Sequence, residues 1–133
     1  MIKEDYVSFE TSKLLKKKGF NEECRAYYVK SKECGIELFL SDRSRNYNDD
    51  VYPRTSAPTL QMALKWLREE KHYYIQIMLD SWACGDHCGF YVVIQKTDSD
   101  FEMMLADAVD NVFYVTYEIA ANVALLYVLE ELI

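Results

Sequence analysis

Glycine and proline are scarce in this sequence, four and two in 133 residues, and no long apolar run is present. With 50% apolar residues, so little Gly and Pro argues against a low-complexity or disordered chain, which combines low hydrophobicity with high net charge. The longest apolar stretch, near the C-terminus, is interrupted by Asn122 and bounded by Glu118 and Glu130. It falls short of the roughly 20 residues that a membrane-spanning helix needs, so no membrane partner is expected. Met1-Ile2-Lys3-Glu4-Asp5 is charged at once, without the apolar stretch of a secretory signal. The expectation is a cytoplasmic chain whose four cysteines are reduced thiols.

Basic charge is also short. Lys and Arg number 15 against 22 Asp and Glu, for a net charge of −7, and residues 101–133 hold six acids with no Lys or Arg. Nucleic-acid binding rests on cations that neutralise phosphates, so nucleic acid is not an expected partner. The longest basic run, Lys16-Lys17-Lys18, reads as the solvated end of a helix. Catalytic signatures are missing too: the chain has two histidines, His72 and His87, and no glycine-rich phosphate loop, H-E-x-x-H or G-x-S-x-G. No catalytic residue and no cofactor is assigned, and the reading leans away from an enzyme.

What the sequence does contain is an ordered set of start and stop signals. Ser8 before Phe9 and Gly19 after Lys18 predict a first helix. Cys24 to Val29 and Ile36 to Leu40 predict a hairpin, and the polar stretch from Ser41 to Thr55 predicts an exposed loop. Pro58 and Thr59 open a second helix with Leu60, Ala63, Leu64 and Leu67 on one face and Trp66 beside them. His72 to Leu79 and Gly89 to Lys96 alternate as central strands joined through Asp80 to Cys88. Phe101 to Val109 reads as either a short helix or a loop, and Val112 to Val115 as a further edge strand. Thr116 caps a last helix, Tyr117 to Leu132. The expectation is a single α+β domain over 1–133, order α-β-β-α-β-β-α, with helices packed on one face of a mainly antiparallel four- or five-stranded sheet.

Three groups of residues invite a functional reading. Cys84-Gly85-Asp86-His87-Cys88 gathers metal-ligand types in one predicted turn, so Cys84, His87 and Cys88 are the candidates for a metal or thiol site. The second pair that a closed zinc site requires is missing, because Cys24 and Cys34 fall near opposite ends of the first hairpin. Eleven tyrosines supply apolar area with a hydrogen-bonding tip. Tyr74 and Tyr91, with Met78 and Val93, form a strand face opposite the core set and are candidates for contact with a protein partner; the alternative is that the loop 41–55 or the region 97–113 covers them. The last helix carries two apolar stripes, and Leu125, Val128, Leu129 and Leu132 make up the second. Something must cover them: the first helix, a second copy in a homodimer, or another protein.

The run Ser56-Ala57-Pro58-Thr59-Leu60-Gln61-Met62-Ala63-Leu64-Lys65-Trp66-Leu67-Arg68-Glu69, with Asp5-Tyr6-Val7-Ser8-Phe9-Glu10, resembles a family of small uncharacterised proteins. These are encoded by anaerobic gut bacteria and their mobile elements or phages. Tyr117-Glu118 and Leu129-Glu130-Glu131-Leu132-Ile133 extend the resemblance to the end. It implies a bacterial or phage origin and, since the family has no established activity, transfers no site residue. The resulting expectation is a non-enzymatic protein-interaction protein, with a metal-binding or thiol-dependent protein as the alternative.

Overall fold

The computed structural model describes residues 1–49, 53–84, 87–105 and 113–133, and for 81–84 and 87–88 only the backbone. Three helices begin where their caps lie. Ser8 Oγ accepts from Thr11 N ahead of α1 (Phe9–Lys17), Thr59 from Met62 N ahead of α2 (Leu60–Glu70), and Thr116 from Ile119 N ahead of α3 (Tyr117–Tyr127). Each hydroxyl satisfies one of the amides that a helix start leaves without a partner. Gly19, at φ 96, ends α1 in a backbone region that a side chain would strain. A π-helical turn, Val128–Leu132, continues α3 toward the last residue.

Among the described residues, six strands form two three-stranded antiparallel sheets, where one sheet of four or five strands was expected. In the first sheet β1 (Cys24–Ser31) lies between β2 (Gly35–Arg45) and β3 (Arg54–Ser56). In the second, β5 (His87–Lys96) lies between β4 (Tyr73–Cys84) and β6 (Glu102–Leu105). The division has a local cause. The free edge of β1 is taken by β3, and that of β5 by β6, so the two hairpins cannot join through their central strands.

The polar stretch 41–55 is not simply a loop, because side chains take over the role of backbone partners. Ser41 to Arg45 prolong β2, a 3-10 turn spans Tyr47–Asp49, and Arg54 and Thr55 belong to β3. Ser56 Oγ accepts from Tyr47 N, Asn48 Oδ1 accepts from Ser56 N, and Asn48 Nδ2 donates to Phe20 O. Tyr47 is consequently buried, against Tyr27 at 4.4 Å between ring centroids. The ambiguous region beyond Phe101 begins as strand β6, and Tyr114 makes a single bridge to Phe90. The hairpin arms of β4 and β5 also run further than expected, to Cys84 opposite His87.

One hydrophobic cluster joins Val7, Leu15 and Phe20 to Leu67, Val92, Ile94 and Leu125. The inner face of the second sheet enters it as the alternation predicts: Tyr73, Val92 and Ile94 are buried, and Ile75, Ile77 and Phe90 pack against it partly covered. Trp66 meets Phe20 edge-on at 5.5 Å, and Leu67 is wholly buried. Leu67→Ala is therefore expected to cost on the order of 2–5 kcal/mol in urea denaturation, through lost transfer energy plus a cavity.

Leu125, Val128 and Leu129 are buried in this same cluster, and Leu132 is half-covered against it. Their assignment as an interaction surface is corrected: α3 packs against α1, α2 and β5, so the second stripe is covered within the chain and gives no reason for a dimer. Lys18 Nζ donates to Ile133 O at 2.7 Å, and Tyr73 Oη donates to Leu132 O at 3.3 Å. A cation and a hydroxyl thus meet carbonyls at the negative end of the helix.

Candidate interaction surface

Each residue of β4 and β5 has a fixed side, because side chains alternate along a strand and directly opposite partners share a face. The register sets Tyr74 opposite Gln95, Gln76 opposite Val93 and Met78 opposite Tyr91. It then sets Val93 opposite Met104 and Gln95 opposite Glu102. These residues make up the outer face of the second sheet, opposite Val92 and Ile94, and at its β4 edge Arg68 of α2 reaches over the Tyr74 ring at 6.0 Å.

Among the described residues that face mixes exposed apolar side chains with Gln76, Gln95 and Glu102. Met104 is 64% exposed, Tyr74 39% and Met78 37%, while Tyr91 and Val93 are half-covered. Gln76 Nε2 donates to Gln95 Oε1 at 2.8 Å, tying β4 to β5 across the middle of the face. Of the expected alternative, a cover supplied by 41–55 or 97–113, the described residues show contact at Tyr91 and a border at Tyr74. Residues 41–49 and 53–55 belong to the first sheet or its turn, whereas Phe113 packs edge-on against Tyr91 at 6.1 Å. Residues 50–52 and 106–112 lie outside the described residues.

At the other end, Tyr74, Gln95 and Glu102 join Thr97, Ser99, Asp100 and Phe101 around a shallow depression of about 390 Å³. Asp100 and Glu102 place two carboxylates on this rim and Lys96 a cation, its Nζ 3.8 Å from Asp98 Oδ1 beside it. The arrangement offers aromatic and thioether side chains bordered by carboxylates and by the cations of Lys96 and Arg68. It can hold a complementary apolar surface; it does not present a nucleophile beside a base.

Cys84, His87 and Cys88 sit at the far end of the β4–β5 hairpin. The register places Cys84 opposite His87. Their side chains, on which the metal expectation depends, lie outside the described residues, as do Gly85 and Asp86. Among the described residues, no group of three His, Cys, Asp or Glu side chains converges. His72 is exposed at φ 64 in the turn between α2 and β4, where its carbonyl accepts from Thr97 N.

Cys24 is buried at the start of β1, and Cys34 is exposed in the β1–β2 turn, the separation that the hairpin implied. Desolvation by burial pushes the Cys24 thiol above its ordinary value, opposed by hydrogen bonds involving Ser56, Ala57 and Ala26. Burial likewise raises Tyr28, whose hydroxyl donates to Val7 O at 2.7 Å. For both groups the folded chain holds the proton more tightly than the unfolded chain. Their contribution to stability is therefore intact below the unfolded values and is lost as pH rises through the raised folded ones. The thermal midpoint should hold steady up to the ordinary thiol value, about 8.5, and decline above it. Alkylation at mildly alkaline pH should modify Cys34 and spare Cys24 until the protein unfolds, which peptide mass spectrometry reads directly.

The outer face was legible from the period-two pattern of β4 and β5. The contribution of Met104 was missed, because the four residues of β6 are too few to declare a strand. No helix among the described residues is long and apolar enough to cross a membrane. Comparison with protein-family models, curated proteins and solved structures finds no match.

Proposed function

We propose that this chain is a non-enzymatic interaction protein of bacterial, phage or mobile-element origin, and that it docks another protein on the outer face of the second sheet. The observation that carries the reading is the exposure of Tyr74, Met78 and Met104, with Val93 half-covered, on the outer sheet face on either side of the Gln76–Gln95 pair. Tyr and Met suit such a role, since each offers large contact area and Met adapts to an irregular surface. Around Tyr74 the carboxylates of Asp98, Asp100 and Glu102 outnumber the cations of Lys96 and Arg68, which favours a partner whose apolar centre is bordered by Lys or Arg. The origin rests on the resemblance of Ser56 to Glu69 and Asp5 to Glu10 to the small bacterial and phage proteins.

Co-purification from the source cells tests the docking. The double variant Tyr74→Ser/Met78→Glu should lose the partner that the wild type retains, with its thermal midpoint nearly unchanged because both side chains are exposed. Equal recovery by both proteins, or loss only in step with unfolding, contradicts the reading. The second reading, a metal or thiol site at Cys84, His87 and Cys88, is favoured by the register that sets Cys84 opposite His87. A stoichiometric ion in protein purified without chelator, lost in Cys84→Ser, would support it.

A further inference from the structure

The outer edge of the first sheet differs from every other strand among the described residues. Ten of the eleven residues of β2 are exposed, on both sides of the strand, and among the described residues no strand pairs with its outer edge. Four of them are large and apolar: Ile36, Leu38, Phe39 and Leu40, the last at 67% exposure. A long apolar edge in water is a ready template for another strand, and natural sheets ordinarily blunt one with charge, proline or a bulge. Here the irregularity in register lies beyond Leu40, between the pairs Ala26–Leu40 and Cys24–Arg45, and leaves Gly35 to Leu40 regular.

We propose that this edge pairs with the same edge of a second copy, antiparallel about Leu38. Two features of the strand favour a copy of itself over another occupant. The first is shape: a two-fold axis perpendicular to the sheet keeps each face on its own side and sets Leu38 opposite Leu38 and Ile36 opposite Leu40. These residues share the side of Tyr28, which stands opposite Leu38 and packs edge-on against Phe9 at 5.5 Å. Pairing therefore extends the row from Phe9 through Tyr28 and Leu38 into the second copy without a polar interruption.

The second feature is charge. Glu33 and Glu37 precede or enter the apolar run, whereas Arg43 and Arg45 follow it. With Lys32 and Asp42 included, the first half carries a net negative charge and the second a net positive one. Antiparallel pairing lays the negative end of each strand beside the positive end of the other, and parallel pairing does the reverse. The result is a closed six-stranded sheet, β3-β1-β2-β2-β1-β3. It leaves the Tyr74 and Met78 face of the other sheet free, so it does not rest on the docking proposed above.

A contact along one strand edge should bury less than the roughly 1,600 Å² of a standard interface, so dissociation on the order of 100 µM is expected. Sedimentation over concentrations spanning that value should show monomer passing to dimer in the wild type and monomer alone in Leu38→Lys/Leu40→Lys, each checked for folding by circular dichroism. Cysteine trapping fixes the register. In a Cys34→Ser background, Leu38→Cys brings two thiols opposite one another within disulfide reach, whereas Leu40→Cys sets each thiol opposite Ile36 of the second copy. Mild oxidation should give a covalent dimer with Leu38→Cys, and no more than the Cys34→Ser blank with Leu40→Cys. A wild type that stays monomeric throughout, a dimer that survives the double lysine variant, or equal trapping at both positions overturns the proposal. So does a dimer lost on Met78→Glu instead.

Discussion

Leu125→Glu is expected to abolish folding. Leu125 has no exposed surface and lies on α3 within the cluster that joins the three helices to the second sheet. Substitution removes the contacts of a buried leucine, about 2–5 kcal/mol, and introduces a carboxylate into this apolar cluster. An unpaired buried charge adds a penalty of several kcal/mol, against a total stability of about 5–15 kcal/mol for a domain. Circular dichroism should show an unfolded or partly folded chain at neutral pH. Lowering the pH should restore some structure, because the neutral acid is less costly to bury. A Leu125→Glu protein with the wild-type thermal midpoint would place α3 outside the core. Leu132→Ala, at a half-covered site near the end of the same stripe, should cost distinctly less.

Gly89→Ala should produce the second large effect, through crowding. A Cβ at position 89 would stand 2.3 Å from Phe113 Cβ, 3.1 Å from its Cγ and 3.4 Å from its Cα. The nearest of these atoms is rooted on the main chain, so a rotamer change cannot relieve the contact. The segment at Phe113 and Tyr114 must lift from β5, stretching the two bonds of the Phe90–Tyr114 bridge, at 2.8 and 2.9 Å. A loss of about 1–3 kcal/mol is expected, together with greater exposure of Tyr91. A double-mutant cycle isolates the cause. Phe113→Gly removes the atoms that collide, so Gly89→Ala should cost almost nothing in that background; additive losses would show that residues 89 and 113 do not touch.

The parts of this fold that were legible are those with a local chemical signal. Ser8, Thr59 and Thr116 announce three helix starts because a hydroxyl there satisfies an amide that has no other partner. The inner face of β4 and β5 is legible because Tyr73, Ile75, Ile77, Val92 and Ile94 recur at period two. The division into two sheets was not legible, since it depends on which segment takes the edge of β1. Arg54, Thr55 and Ser56 carry no strand signature; a three-residue strand held by Asn48 and Ser56 reads as polar loop. Tyr47 was hidden for the same reason, because the polar residues around it gave no sign of a covered aromatic ring.

The candidate site was legible by subtraction. Once the period-two pattern assigns Ile75 and Val92 inward, Tyr74, Met78, Tyr91 and Val93 fall on the other side. Whether that side is covered depends on chain far from it, which no local pattern encodes. The stripe of Leu125, Val128 and Leu129 shows the reverse outcome, since two apolar faces on one helix are plain in the sequence and the cover comes from α1, α2 and β5. Lys18 reaching Ile133 O is the polar counterpart of that packing.

Methionine oxidation, read residue by residue, tests the proposed docking most directly, because the chain carries its own probes. Met78 and Met104 lie on the outer face of the second sheet, whereas Met62, at 38% exposure, lies on α2. Brief oxidation of the purified protein should convert Met78 and Met62 at similar rates and Met104 faster, in line with exposure. The same pulse on the protein in its source cells should leave Met62 unchanged while slowing Met78 and Met104 several-fold. Met78 and Met104 reacting as fast beside the cell's proteins as alone would contradict docking at this face.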